Sequence, residues 1–133
     1  MPNFDFSKER VKNLPDLTSV FFKPLTLVEL ADAAVTLTSA QVIDAGMFTM
    51  TPGAGRAVTL PTALSLLAYV PCARIGTYFD FCFVNLAAQV VTITTNTGLT
   101  LVGGMTINNT SGTFRCMFTS VEQGSPTVKI FRI

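Results

Sequence analysis

Few side chains in this chain of 133 residues are equipped for chemistry. Histidine is absent, which removes the commonest general base and the commonest transition-metal ligand together. Beyond residue 32 the only carboxylates are Asp44, Asp80 and Glu122, each isolated in sequence. A glycosidase-like acid/base pair would need two of them to converge in space, so a cryptic hydrolase survives only on that condition. Otherwise each is a single polar residue at a solvent-facing or interface position. The cysteines Cys72, Cys82 and Cys116 are odd in number and lack Cys-x-x-Cys spacing. They read as buried free thiols, with one disulfide and a leftover thiol as the alternative, and a zinc cage would want a fourth ligand. A nucleophilic Cys82 needs a base to make its thiolate, and Asp80 beside it would raise the thiol pKa instead.

Three further stretches invite a functional reading and lose it on inspection. "TPGAGRA", 51–57, holds Gly-x-Gly before Arg56, but a phosphate loop continues into Lys-Ser/Thr and a helix, and here a strand follows. A tight hairpin turn is the expectation. The overlapping sequons at Asn108 and Asn109 matter only in a secretory compartment, and the N-terminus shows neither an apolar core region nor a cleavage site. "FRCMF" and "KIFRI" interleave Arg115, Lys129 and Arg132 with aromatics, a faint echo of a single-strand stacking surface. Three basic residues do not make a groove, so Phe114, Phe118 and Phe131 are assigned to the core or a subunit contact. No nucleic acid, cofactor, metal or enzymatic activity is expected.

What positions these residues is a chain of apolar, weakly charged composition. Half the residues are hydrophobic, 13% are charged, eleven are Phe, and the net charge is +1. Such a chain can bury a core as one domain, attracts no polyanion through a broad field, and must hide surface or associate. A homo-oligomer, most simply a trimer, is therefore expected. No apolar run is long enough to span a bilayer, so no membrane partner is expected.

Nine of the seventeen charged residues fall within the first 32 positions. Residues 1–24 read as an arm mixing these charges with aromatics, including a short helix over 6–13 that Pro15 ends. From residue 25 to 133 the apolar period is two, the mark of strands with one face on a core. Strands are expected at 25–30, 34–38, 46–51, 56–60, 77–86, 90–95, 99–102, 113–121 and 127–132, separated by Gly- and Asn-rich turns. Residues 79, 81, 83, 91, 93, 114, 116 and 118 should share one core, with Asp80 on the opposite face. "LPTALSLLAYVP" breaks the pattern. It predicts a helix near 62–69, capped by Thr62, apolar at Leu64, Leu67 and Ala68, stopped by Pro71 and plugging one end of a sheet pair. The fold class is all-β: a single antiparallel β-sandwich of jelly-roll type, seven to nine strands, with the arm appended.

The order of segments in 56–133 carries a resemblance. "VTLPTA" precedes the short helix, then come "GTYFDFCFVN", "VTITTNTGLTLVGG", "GTFRCMFTSV" and "VKIFRI". This resembles small β-rich virion proteins of tailed phages and large double-stranded DNA viruses. They share a Leu-Pro-Ser/Thr-Ala helix, a Gly-x-x-Phe-x-Phe strand ending in Asn, a Gly-x-Thr-Leu-x-Gly hairpin and a terminal Val-x-Ile-x-Arg strand. The resemblance implies a virion location and a capsid decoration (cement) or minor capsid protein, commonly trimeric, whose partner is the major capsid protein. A receptor- or glycan-binding fibre knob is the alternative. It implies no catalytic residues. The arm then becomes the candidate capsid contact, with Phe4, Phe6, Phe21 and Phe22 as apolar anchors and Lys8, Arg10 and Lys12 pairing with acids on the shell.

Overall fold

Alternation of apolar with small polar residues sets the strands, and β-branched and aromatic side chains fill them. The computed structural model describes residues 26–133. The arm, its helix over 6–13 and the contact residues Phe4, Phe6, Lys8, Arg10, Lys12, Phe21 and Phe22 lie outside the described residues. Within them are β1 (Thr26–Leu30), β2 (Val35–Thr36), a π-helical turn (Gln41–Ala45), β3 (Gly46–Met50), β4 (Arg56–Thr59) and α1 (Ala63–Tyr69). Then follow β5 (Tyr78–Asn85), β6 (Val90–Thr94), β7 (Leu99–Val102), β8 (Thr106–Asn108), β9 (Ser111–Ser120) and β10 (Thr127–Arg132). The protein is β-rich, with little helix.

The strands form two sheets, one of six in the order β1-β3-β5-β9-β10-β7 and one of four in the order β2-β4-β6-β8. Both are mixed, which corrects the antiparallel expectation. β1, β3 and β5 run parallel, as do β2, β4 and β6, and β7 runs parallel to β10. Among the described residues only β5/β9, β9/β10 and β6/β8 are antiparallel. The physical reason lies in the turns. From β1 to β9 each connection carries the chain from one sheet to the other, and up to β6 two crossings return it to its original direction beside the strand two places earlier.

Turn chemistry alone cannot tell such a corner from a hairpin, because Gly and Asn serve both. "TPGAG" and the glycines around "GLTLVGG" were expected to close hairpins. They are sheet-to-sheet corners instead. Among the described residues only Val121–Pro126 joins neighbouring strands of one sheet, β9 and β10.

The core lies where side chains of both sheets meet. Phe48, Phe81, Phe83, Phe114 and Phe118 from the larger sheet are buried with Val58, Val91, Ile93 and Ile107 from the smaller. Phe81 stacks on Phe114 at 5.1 Å between centroids and meets Phe48 edge-on at 6.0 Å. Of the eight expected core positions, seven are buried, and Phe79 is partly buried against the same cluster.

The helix forms where expected. The Thr62 side chain accepts a hydrogen bond from the Ser65 backbone N–H at 3.1 Å, and Tyr69 is the last helical residue. Its buried face is Ala63, Leu66 and Leu67, whereas Leu64 and Ala68 are exposed. The buried stripe lies one residue toward the N-terminus of the expected one, with Leu67 common to both, because consecutive Leu66 and Leu67 let either stripe fit helical spacing. The π-helical turn and β8 were not anticipated. Each is five residues or fewer, too short to show a period.

Candidate functional site

Register places the outer face of the six-stranded sheet residue by residue, because partners in adjacent strands share a face. One row reads Leu27, Met47, Cys82 and Thr113 across β1, β3, β5 and β9. Another reads Asp80, Arg115, Phe131 and Val102 across β5, β9, β10 and β7. A third reads Tyr78, Met117, Lys129 and Thr100. Seven of these twelve positions are apolar, on the side away from the core. Leu27, Tyr78 and Val102 are 49%, 56% and 40% exposed, and Met47, Cys82, Met117 and Phe131 are half-buried.

The charges on this face are arranged to spend little of it on water. Arg115 donates to both carboxylate oxygens of Asp80, at 2.8 and 2.9 Å, and its guanidinium lies 4.4 Å over the Tyr78 ring. The hydrogen bond from Arg115 holds the Asp80 carboxyl below the usual carboxylate range, against an opposing effect of burial. The same contact pushes the Arg115 guanidinium up. Lys129, in the third row, and Glu29, in a further row with Thr49, Val84 and Ser111, stand near opposite edges of the sheet.

Each carboxylate singled out for chemistry has a hydrogen-bond partner of its own. Asp80 is committed to Arg115, Asp44 accepts from the Tyr69 hydroxyl, and Glu122 accepts from Ser125 at 3.5 Å. The Asp44 hydrogen bond raises the Tyr69 pKa. The three acids lie on different elements: the π-helical turn, β5 and the connection between β9 and β10. Cys72 is exposed, Cys82 sits half-buried on the outer face and Cys116 is buried. All three are free thiols, so the expectation of burial holds fully only for Cys116, whose thiol burial pushes well up, with the Asp80 charge adding to the shift.

Among the described residues no three Cys, Asp or Glu side chains cluster as a metal-binding set. A depression of about 330 Å³ beside Glu29, Asp32, Thr49 and Leu86 brings carboxylates to its wall. Asp32 is already engaged there: it accepts from Gly53 N–H at 2.9 Å and from Arg56 Nε at 2.8 Å. That corner is what "TPGAGRA" builds, an anchored crossing and not a phosphate loop.

Two residues that the sequence offered for other reasons prove structural. Asn85, closing "FDFCFVN", is buried and donates to the Ile107 carbonyl of β8 at 2.8 Å, tying the two sheets together. Arg132 donates to the carbonyls of Gly104 and Thr106 at 2.9 and 3.2 Å and passes under Gly112 so closely that a Cβ there would lie 2.9 Å from its Cζ. No helix among the described residues is long and apolar enough to cross a membrane. No family model, no curated protein and no solved structure matches this chain.

Proposed function

We propose that this protein works through contact area and not through chemistry, as a virion structural protein of the capsid decoration (cement) or minor capsid type. One observation carries the reading: the outer face of the six-stranded sheet presents an apolar surface whose central charges already satisfy each other. A surface of that kind gains free energy when another apolar surface covers it, and it contributes nothing to a reaction. The segment order "VTLPTA", "GTYFDFCFVN", "VKIFRI" supports the virion setting, and the two sheets are read as the layers of a β-sandwich.

In this reading the outer face is covered by further copies of the same chain, most simply in a trimer. The arm supplies the contact with the major capsid protein. Its residues Phe4, Phe6, Phe21 and Phe22 as apolar anchors combine with Lys8, Arg10 and Lys12 as charges suited to an acidic rim. The test is copy number in purified particles. A cement role expects this chain on the scale of the shell's own subunits, whereas a vertex or fibre part would be far scarcer. Its absence from washed particles would overturn the virion reading and leave the contact surface to be explained otherwise.

A further inference from the structure

One end of the molecule, built by α1, residues 70–77 and the turn Val121–Pro126, carries a second apolar surface. No Asp, Glu, Lys or Arg occurs between Arg56 and Arg74, so α1 and most of the connection after it are uncharged. Ala63, Leu66 and Leu67 turn α1 toward the core, and Leu64 and Ala68 stand one turn apart on its exposed side. Leu64 is 54% exposed and walls a depression of about 280 Å³ with Gly98, Gly124 and Pro126. Tyr69 and Cys72 are exposed as well.

Ile75, at 72% the most exposed large hydrophobic residue described, is held out by an ordered tip. Arg74 N–H donates to the Thr77 hydroxyl oxygen at 3.0 Å, and Thr77 N–H donates to the Arg74 carbonyl at 2.9 Å. Gly76 N–H donates to the Phe118 carbonyl at 2.8 Å, and Phe118 N–H donates to the Thr77 carbonyl at 2.9 Å, tying the tip to β9. A side chain on such a tip has little backbone freedom left to lose when a partner covers it. Gly76 sits where β9 leads into the Val121–Pro126 turn, and Leu64 lies beside Thr127, where β10 leaves it. Ile75 and Leu64 therefore belong to the same end.

Two copies packed sheet face to sheet face would cover the outer face and leave this end bare. A contact between the unlike patches covers both, and repeated about an axis it closes a ring. The charges allow it: Glu29 and Lys129 stand near opposite edges of the face, and Arg74 and Glu122 lie at the end, so each patch offers both signs. We propose that copies of this chain associate heterologously, the α1 end of one, led by Leu64 and Ile75, packing on the outer sheet face of the next. The proposal rests on the reading that further copies cover the outer face, and it names the surface that does so. Met47 and Met117 on that face are flexible enough to repack around the fixed Ile75.

The test uses two variants of the full chain, followed by light scattering. The face variant is Met117→Glu, Val102→Asp, and the end variant is Leu64→Glu, Ile75→Asp. Each alone is expected to be a monomer. Mixed, they should form a species of two chains and nothing larger, because the intact end of one meets the intact face of the other. Mixing is done well above the concentration at which the native chain assembles, since a single contact lacks the avidity of a closed ring. A face variant that stays as large as the native protein would sink the reading of the outer face itself. An end variant that still assembles, or a mixture that stays monomeric, would overturn only the heterologous contact. Alkylation gives a readout that does not depend on the end variant. Cys72 lies at the α1 end, away from both face substitutions, and should react at least about ten-fold more slowly in the native oligomer than in the face variant. Buried Cys116 should stay unreactive in both, which reports that the fold is intact. Equal rates at Cys72 with Cys116 protected would assign the α1 end to solvent and overturn the proposal.

Discussion

The two faces of the six-stranded sheet are both apolar, yet they are apolar in different ways. The inner face is built from Phe48, Phe81, Phe83, Phe114 and Phe118, all fully buried by the smaller sheet and its own neighbours. The outer face carries Leu27, Met47, Cys82, Met117, Phe131 and Val102, with one bidentate ion pair near its middle. The inner face uses large, rigid rings in fixed edge-on and stacked contacts. The outer face uses flexible methionines and small side chains, the kind that adapt to a partner. Cohesion belongs to the first surface, and the proposed function gives association to the second.

Substitutions should separate these roles, and the largest effect belongs to the inner face. Phe114→Ala removes a ring that stacks on Phe81 with no exposure, and should cost about 3–5 kcal/mol in denaturant unfolding. A loss no greater than that of Phe131→Ala on the outer face would erase the distinction between the faces.

Next come the corners that hold the sheets together. Gly98 has φ +82, and a Cβ there would lie 2.6 Å from the Ala63 Cβ and 2.9 Å from the Pro126 carbonyl oxygen. Gly98→Ala should therefore cost about 2 kcal/mol or more by the same assay, from a strained backbone and from displaced α1.

The smallest effect belongs to the ion pair on the outer face. Asp80 and Arg115 are each more than a third exposed, so screening discounts their attraction, and Asp80→Asn should cost less than about 1 kcal/mol near neutral pH. The sign with pH follows from the depressed carboxyl. Its folded pKa is below the unfolded value, so the pair's contribution is present above the ordinary carboxylate pKa. It is lost as pH falls through the lower, folded one. The gap between native and Asp80→Asn unfolding midpoints should narrow across that acid range, and a gap that widens on acidification would contradict the assigned cause.

The strands were legible because period two is visible wherever one face is buried. β5 and β9 show it in Phe79-x-Phe81-x-Phe83 and Phe114-x-Cys116-x-Phe118, and the Thr62 cap marked α1. Pairing was not legible. Glycine and asparagine corners look the same whether the chain doubles back or crosses to another sheet, so the parallel pairs came only with the structure. The outer face was half legible. Alternation placed Asp80 opposite the phenylalanines, but only register brings Leu27, Met47, Cys82, Phe131 and Val102 from five strands onto one surface. Arg132 under Gly112 had no local signal, since its partners lie 20 or more residues away.

The most direct measurement is the solution mass of the native chain beside a Met117→Glu, Val102→Asp variant, by light scattering at micromolar concentration. Both changes fall on the outer face and leave the core untouched, so cooperative thermal unfolding should be retained. The native protein is expected to be an oligomer, a trimer of the 14.3 kDa chain, and the variant a monomer. A monodisperse native monomer, or a variant as large as the native oligomer, would contradict the assignment of this face to association.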